Sequence, residues 1–352
     1  MLFFGLPAAG VDETLSSWLF RCSVSRHVQN FKRIGLSEKP TSWWEGLEIK
    51  SIDPDVDYLE ASKRFARNMN ISFHGNFEQF FSFKRSDVVD WRYRRFFCPD
   101  CLRADVANGR LPMWRKSWCY AHSSICMMHG KHLESLNDAS RYSKAWEAFA
   151  NICNSVPRGD ANVGWSGGGF WSATVSRIES SMINCVGGER TIQQELFNKL
   201  FGIFLQAPYR NGRGGAARIN FYIEKGVRFA APTSLEHSVS IGPSTADPSS
   251  RIGSFVLAAI LLDALPLSRY SLITKIFEDG RSGVVLPRDI HLAAAFPSVD
   301  RVGYQALRRI LGYVPMGRFP LLDRHLQLQQ DRYFRDGAFD GHSLGDSAHQ
   351  QQ

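Results

Sequence analysis

The chain has 352 residues, 44% of them hydrophobic and 12% aromatic, a composition that excludes a disordered protein and predicts two or three folded domains. An excess of Lys and Arg over Asp and Glu gives a formal net charge of +8, which favours an acidic partner such as nucleic acid. The longest apolar run, residues 255–262, is far shorter than the roughly 20 residues that cross a bilayer, and the first residues lack the basic start of a secretion signal. We therefore expect a cytoplasmic protein with no membrane span.

The first predicted element is an amphipathic helix within residues 12–22. Its start can be capped by Asp12 or by Thr14, because short polar side chains accept hydrogen bonds from the first turn of a helix. Four residues at helical spacing would form its apolar face: Leu15, Trp18, Leu19 and Cys22. Helical spacing of apolar residues continues over residues 58–81, where Phe77, Phe80 and Phe81 are expected in a core. Residues 1–95 are thus predicted to form a helical domain of helix-turn-helix type.

The next feature is a pair of cysteines, Cys98 and Cys101, separated by two residues, with Cys126 and His129 following at the same internal spacing. Two such pairs can surround one metal ion with three sulfurs and one imidazole nitrogen, which is a typical Zn²⁺ ligand set. Four protein ligands leave no open position for water. The spacing therefore predicts one structural Zn²⁺ site in a zinc-binding domain at residues 96–136.

A second cysteine and histidine pair, Cys119 and His122, has the same spacing and is an alternative to Cys126 and His129. Gly130 favours the later pair because glycine lets the backbone turn directly after the histidine, so that Leu133 can return to a core. Both pairs remain open at this point, with Cys126 and His129 preferred.

The region around the cysteines is strongly basic. Residues 84–116 hold nine Lys and Arg against four Asp. We expect contacts with nucleic acid or a partner protein from five of these side chains: Arg92, Arg94, Arg95, Arg115 and Lys116. A solvated basic face without a partner is the alternative. Three of the acidic residues, Asp87, Asp90 and Asp105, are interpreted as surface charges or helix caps.

Helical patterns continue after the metal segment, over residues 138–153, 170–182 and 189–205. The glycine-rich stretch at residues 210–215 reads as a flexible linker and as the boundary between a helical region (137–215) and a C-terminal domain (216–340). A short β-like run is predicted at residues 219–223.

The C-terminal domain is predicted to hold an apolar helix at residues 251–265 and a helix-turn-helix-like pair at residues 289–295 and 298–311. Ser298 can cap the second helix of the pair. Its inner face would carry Val302, Ala306 and Ile310, and its outer face would offer three side chains to nucleic acid: Arg301, Gln305 and Arg308. An ordinary helical hairpin with solvated arginines is the alternative. Residues 341–352 are expected to be a disordered tail.

Catalytic motifs are weak in this sequence. Gly164-Trp-Ser166-Gly-Gly168 has the spacing of a hydrolase nucleophile elbow, but the preceding residues are polar and turn-like where a buried strand is required. No phosphate-binding loop of the Gly-x-x-x-x-Gly-Lys-Ser/Thr type is present. We therefore predict a fold that is mainly α-helical and a protein that is not an enzyme.

Taken in order, the motifs resemble those of the TniQ/TnsD family of transposon target-selection proteins, most closely its compact CRISPR-associated members. The resemblance covers about residues 10–135 and departs from the family pattern at Met127, where proline is common. It also favours Cys126 and His129 as the second ligand pair. The matching segments are Glu13-Thr-Leu15-Ser-Ser-Trp18-Leu-Phe-Arg21, Cys98-Pro-Asp-Cys101-Leu102, Trp114-Arg115-Lys-Ser-Trp118 and Cys126 to Leu133.

The resemblance implies a non-catalytic adaptor for DNA transposition in the bacterial cytoplasm, associated with the nucleoid. Such a protein docks as a homodimer on a CRISPR Cascade complex with its guide RNA and recruits an AAA+ regulator ATPase to target DNA. The alternative that the family offers is a direct, sequence-specific reader of an attachment site.

Overall fold

The computed structural model describes residues 6–25, 53–69, 77–136, 141–154, 168–182, 192–210, 212–221, 231–279, 285–297 and 300–334. This part of the chain is mainly helical, which confirms the predicted fold class, and each of its strands is only two residues long. In chain order the helices are α1 (Leu15–Ser23), α2 (Tyr58–Met69), α3 (Phe77–Phe81), α4 (Pro99–Ala107), α5 (Lys144–Asn154), α6 (Gly168–Met182), α7 (Ile192–Phe204), α8 (Ala216–Asn220), α9 (Leu235–Thr245), α10 (Pro248–Leu261), α11 (Leu267–Asp279), α12 (Ile290–Ala293), α13 (Arg301–Leu311) and α14 (Pro320–Phe334). The strands are β1 (Phe96–Phe97), β2 (Ile125–Cys126), β3 (Lys131–His132) and β4 (Glu134–Ser135), with β1 antiparallel to β4 and β2 antiparallel to β3.

Helix α1 forms as the sequence predicts. Thr14 caps it by accepting a hydrogen bond from the Ser17 backbone N–H, and the four residues of the predicted apolar face are all buried. Trp18 packs on the rings of Phe77 and Phe81, which lie in the core as expected, whereas Phe80 is exposed. Residues 70–76, which connect α2 to α3, lie outside the described residues, so the helix-turn-helix interpretation of this region stays a prediction.

The largest core surrounds α10. Asp247 caps this helix by accepting from the Ser250 N–H at 3.0 Å, and Pro248 occupies its first turn, where a missing N–H costs nothing. All fourteen residues of α10 are buried, because α6, α7, α8, α11 and α14 pack around it. No helix in the described part of the chain is both long enough and apolar enough to cross a membrane.

The predicted domain boundary at residue 215 does not separate two cores, because α7 and α8, on either side of it, pack into the same one. A Cβ on Gly215 would lie 2.1 Å from the Phe204 carbonyl oxygen, so the glycine permits close backbone approach in a tight turn. The Gly215 N–H donates to the Gln206 carbonyl at 2.8 Å. The β-like prediction that follows is also wrong, since Ile219 belongs to α8; residues 222–223 lie outside the described residues.

The predicted C-terminal pair is present but differs in detail. Helix α12 is a single turn, and α13 is capped by Asp300, which accepts from the Gly303 N–H at 2.7 Å; Ser298, the predicted cap, lies outside the described residues. The buried face of α13 carries Tyr304, Leu307 and Leu311. These side chains offer more apolar area than the predicted inner face of Val302, Ala306 and Ile310, and Val302 is exposed.

A pH dependence follows from a buried histidine on α14. Both ring nitrogens of His325 lack a hydrogen-bond partner among the described residues, and its ring stacks on His291 of α12 at 5.8 Å. Burial, with a smaller contribution from His291, lowers the pKa of His325 to about 3 from an ordinary 6.5. Because only the unfolded chain binds this proton between those values, the stabilisation is complete above pH 6.5 and is lost as the pH falls toward 3.

Urea titrations at a series of pH values check this expectation. The free energy of unfolding should fall on acidification by up to about 1.4 kcal/mol per pH unit from this proton alone, and His325→Leu should remove that part of the slope. The matched control is His237→Gln, which changes an exposed histidine. Identical slopes for wild type and His325→Leu would contradict the assignment.

Candidate metal centre

The first two candidate ligands lie where a strand becomes a helix. Strand β1 leads into Cys98, which is the N-cap residue of α4, and Pro99 fixes the first helical turn. Cys101 follows within that turn, so both sulfurs face the same side of the helix start. Both cysteines are buried.

The other two candidate ligands come from the turn between β2 and β3. Cys126 ends β2, and its carbonyl oxygen accepts from the N–H groups of His129 at 3.2 Å and Gly130 at 2.7 Å. Gly130 has a φ of 63°, in the left-handed region that favours glycine, and Leu133 is buried just beyond. The turn predicted from Gly130 is therefore confirmed.

These two segments bring four ligand atoms together. The sulfurs of Cys101 and Cys126 are 3.6 Å apart, and His129 Nδ1 lies 3.5, 3.3 and 3.5 Å from the sulfurs of Cys98, Cys101 and Cys126. All four atoms lie within 4.8 Å of one another, a set that can hold a metal ion. No other group of three or more His, Cys, Asp or Glu in the described part of the chain has this arrangement.

Three neighbouring thiols cannot all ionise without a cation between them. Hydrogen bonds from the Cys101 and Cys98 thiols lower the pKa of Cys126 well below its usual range, and donation to Cys126 raises the pKa of Cys101. A bound cation would stabilise all three thiolates at once.

The alternative pair lies elsewhere. The Cys119 thiol donates to the Arg115 carbonyl oxygen at 3.4 Å, and burial raises the pKa of Cys119 to about 12. His122 Nδ1 donates to Asp87 at 2.5 Å, and its ring stacks 4.6 Å from that of Phe201 on α7. The structure therefore brings Cys126 and His129, and not Cys119 and His122, to the first cysteine pair.

Most of the basic residues predicted to contact nucleic acid near this site are buried. Arg94 is bound to Asp53 and Asp55, and Arg115 forms a two-pronged pair with Asp105 at 2.8 and 3.0 Å. Both guanidiniums therefore lie in internal ion pairs, and not on an open surface as the charge pattern predicted. The acidic residue Asp105, interpreted from sequence as a surface charge or cap, is likewise a buried ion-pair partner.

Two further basic residues of that set also have internal roles. Arg95 stacks on Phe96, and Lys116 donates to the Phe80 carbonyl oxygen at 2.7 Å. Only Arg92 of the five is exposed, at 61% of its side-chain surface, and it pairs with Asp90 at 3.1 Å. Asp90 also caps a short helical turn at Trp91–Tyr93, as predicted. Counting charges over residues 84–116 misses the partners of Arg94, because Asp53 and Asp55 lie 41 and 39 residues away in sequence.

No family model, curated protein or solved structure matches this chain. Residues 164–167 of the elbow-like motif, with Ser166, lie outside the described residues, so that motif stays a sequence observation.

Helix α1 is docked on the segment between the ligand pairs. Ser17 Oγ accepts from the Trp114 N–H, and the Thr14 N–H donates to the Trp114 carbonyl oxygen, both at 2.9 Å. Arg21 of α1 forms a buried two-pronged pair with Glu13, which precedes the helix, at 2.7 and 2.8 Å. The N-terminal helix and the metal segment thus form one packed unit.

Two buried cationic side chains, Lys144 and Arg251, stabilise this unit and were not predicted from the sequence. Lys144 on α5 lies 4.0 Å from the ring centre of Trp91 and 4.8 Å from that of Trp114, and burial lowers its pKa to about 8. Arg251 on α10 donates to the carbonyl oxygens of Tyr120 and Ser123 at 3.2 and 2.9 Å, which joins the metal segment to the large core. The sequence did hold a signal for Arg251, because it is a charged residue within an otherwise apolar helix.

Proposed function

We propose that the centre binds one Zn²⁺ ion through Cys98, Cys101, Cys126 and His129, and that this ion has a structural role. Tetrahedral zinc, with Zn–S of about 2.3 Å and Zn–N of about 2.0 Å, places sulfurs about 3.8 Å apart and a sulfur and a nitrogen about 3.5 Å apart. The observed separations are 3.6 Å between two sulfurs and 3.3–3.5 Å between sulfur and nitrogen. Four protein ligands leave no coordination position for a catalytic water.

We further propose that the chain is a non-catalytic target-selection adaptor of the TniQ/TnsD type. The observation that supports this most is that the segments carrying the resemblance contact one another. Glu13 and Arg21 form one buried pair, Ser17 accepts from Trp114, and the Cys98 and Cys126 segments close one centre. The proposal draws on these contacts, because they join the matching segments into one packed unit.

The partners proposed for the adaptor are a CRISPR Cascade complex with guide RNA, an AAA+ regulator ATPase, target DNA and a second copy of the chain. A nuclease-treated pull-down of the tagged chain from its native host tests this set. Cascade subunits together with a small guide RNA are the expected result. Recovery of neither Cascade nor the ATPase would contradict the adaptor role, and a pull-down from cells with an untagged chain is the control.

The second candidate function is direct reading of an attachment site in duplex DNA. The exposed side chains of Arg301 and Gln305 on α13 favour it, while Arg308, also predicted as a contact, is partly buried. This function predicts recovery of the ATPase alone in the pull-down. It also predicts that Arg301→Ala loses affinity for one DNA sequence, with binding that weakens steeply as salt increases.

A further inference from the structure

The C-terminal helices carry an excess of positive charge, and in the described part of the chain their arginines form no ion pair. Residues 300–334 contain six arginines and three aspartates. Asp300 and Asp323 each accept a backbone N–H at 2.7 Å, and Asp331 accepts from a glutamine amide at 3.0 Å. Within the described ranges, none of the six arginines lies at ion-pair distance from a carboxylate. The five exposed arginines among them, all but the partly buried Arg308, can therefore contact an external anion.

Part of this charge forms a regular stripe on α13. Arg301, Gln305 and Arg309 are spaced one helical turn apart, and all three are exposed. The Arg301 guanidinium lies 4.1 Å from the centre of the Phe334 ring. Arg308, which the sequence pattern placed in this stripe, has its Nη1 enclosed on the inner side, so Arg309 takes its place.

The stripe ends at an ordered turn that exposes a large aromatic side chain. Tyr313, directly after the glycine that ends α13, is 79% exposed, and Arg318 in the same turn is exposed too. The turn is held by the Gly317 N–H, which donates to Asp323 at 2.7 Å, and by the buried Phe319. The turn thus holds an aromatic ring in solvent between two exposed arginines, a combination of side chains that suits stacking on a base beside a phosphate.

We infer that this arginine surface, formed by Arg301, Gln305, Arg309, Tyr313 and Arg318, binds a nucleic-acid strand whose bases are unpaired. The guanidiniums would contact successive phosphates, and the Tyr313 ring would stack on a base. A duplex offers the same phosphates but keeps its base faces stacked inside, so it would leave Tyr313 without a partner. The inference goes beyond the adaptor proposal and rests on it only for the biological source of the strand.

Fluorescence anisotropy with the purified full-length chain tests this binding. The probes are a labelled 20-nucleotide DNA strand, an RNA strand of the same sequence and the corresponding DNA duplex. We expect tighter binding to single strands than to duplex, weakened by salt with a slope of about −0.7 per phosphate contacted. Preference for DNA or for RNA would separate a displaced target strand from a guide RNA as the source, and either preference supports the inference.

Variants then separate stacking from charge. Tyr313→Ala should weaken single-strand binding roughly 5- to 150-fold, as expected for one lost stacking contact, while Tyr313→Phe should retain it. Arg301→Gln with Arg309→Gln should reduce the salt slope, and Arg288→Gln, at a residue with 83% of its side chain exposed and paired with Glu278, is the matched control. Tighter binding to duplex, or an unchanged affinity in Tyr313→Ala, would overturn the inference. Because the isolated chain is used, a failed Cascade pull-down would leave this result standing.

Discussion

Cys98→Ser is expected to abolish metal binding and to unfold the segment from β1 to β4. The apparent binding free energy of structural zinc is about 10–16 kcal/mol in zinc-finger peptides, which is as large as the whole stability of a typical domain. A serine hydroxyl does not replace a thiolate, so the remaining ligands would hold the ion weakly. The metal would then no longer hold together the segments that enclose the buried core around Trp114.

The effect should extend beyond the metal segment. Ile125, next to the ligand Cys126, belongs to the large helical core, and Arg251 of α10 binds the carbonyl oxygens of Tyr120 and Ser123. Loosening the β2–β3 turn therefore removes contacts from α10 as well. We expect the melting temperature of the whole chain to fall by roughly 10 °C or more.

Metal content by mass spectrometry and thermal melting by circular dichroism measure the two effects. Cys153→Ser is the matched control, because Cys153 is exposed and outside the centre, and it should keep one zinc per chain. Cys119→Ser should also keep the metal, since its thiol donates to a backbone carbonyl oxygen. Full metal content and unchanged melting in Cys98→Ser would show that the centre is not a zinc site.

Glu13→Ala is expected to destabilise the chain by about 3–5 kcal/mol. The Glu13 and Arg21 side chains are almost fully buried and joined by hydrogen bonds of 2.7 and 2.8 Å, so removing the carboxylate leaves a buried guanidinium without its counter-charge. Glu13 also accepts from Ser17 at 2.9 Å, and Ser17 in turn holds Trp114. The loss should therefore loosen the docking of α1 on the metal segment.

Chemical unfolding of the two single variants and the double variant measures the interaction energy between Glu13 and Arg21. Arg21→Met combined with Glu13→Ala should be less destabilising than the sum of the single changes, because no unpaired charge remains. The matched control is the partly exposed pair between Glu60 and Arg64 on α2, where Glu60→Ala should cost far less stability than Glu13→Ala, because solvent screens the two charges. Equal losses in Glu13→Ala and Glu60→Ala would contradict a structural role for the buried pair.

Local patterns in the sequence were sufficient for α1 and, together with the preference for Cys126 and His129, for the cluster that can hold a metal ion. The helix cap at Thr14 and the turn at Gly130 depend on neighbours within a few residues. Two ligands separated by two residues can reach the same metal ion in only a few backbone geometries, so their spacing is informative. The choice between Cys126 and Cys119 was open from spacing alone, because both pairs are equally spaced and only the fold separates them in space.

Features that depend on distant contacts were missed. Gly215 looks like part of a flexible linker in sequence, yet its lack of a side chain lets two backbone segments touch inside a single core. Arg94 and Arg115 look like surface charges until their partners Asp53, Asp55 and Asp105 are placed beside them. A window of sequence cannot show such pairing, because it depends on the tertiary fold.

X-ray absorption at the zinc edge of the purified chain tests the proposed centre most directly. We expect one zinc per chain with three sulfur neighbours at about 2.3 Å and one nitrogen neighbour at about 2.0 Å, and no oxygen neighbour. An oxygen from water in the coordination shell would indicate an open and potentially catalytic site. A shell with two sulfurs, or a chain without zinc, would contradict the assignment of Cys98, Cys101, Cys126 and His129 as a closed structural site.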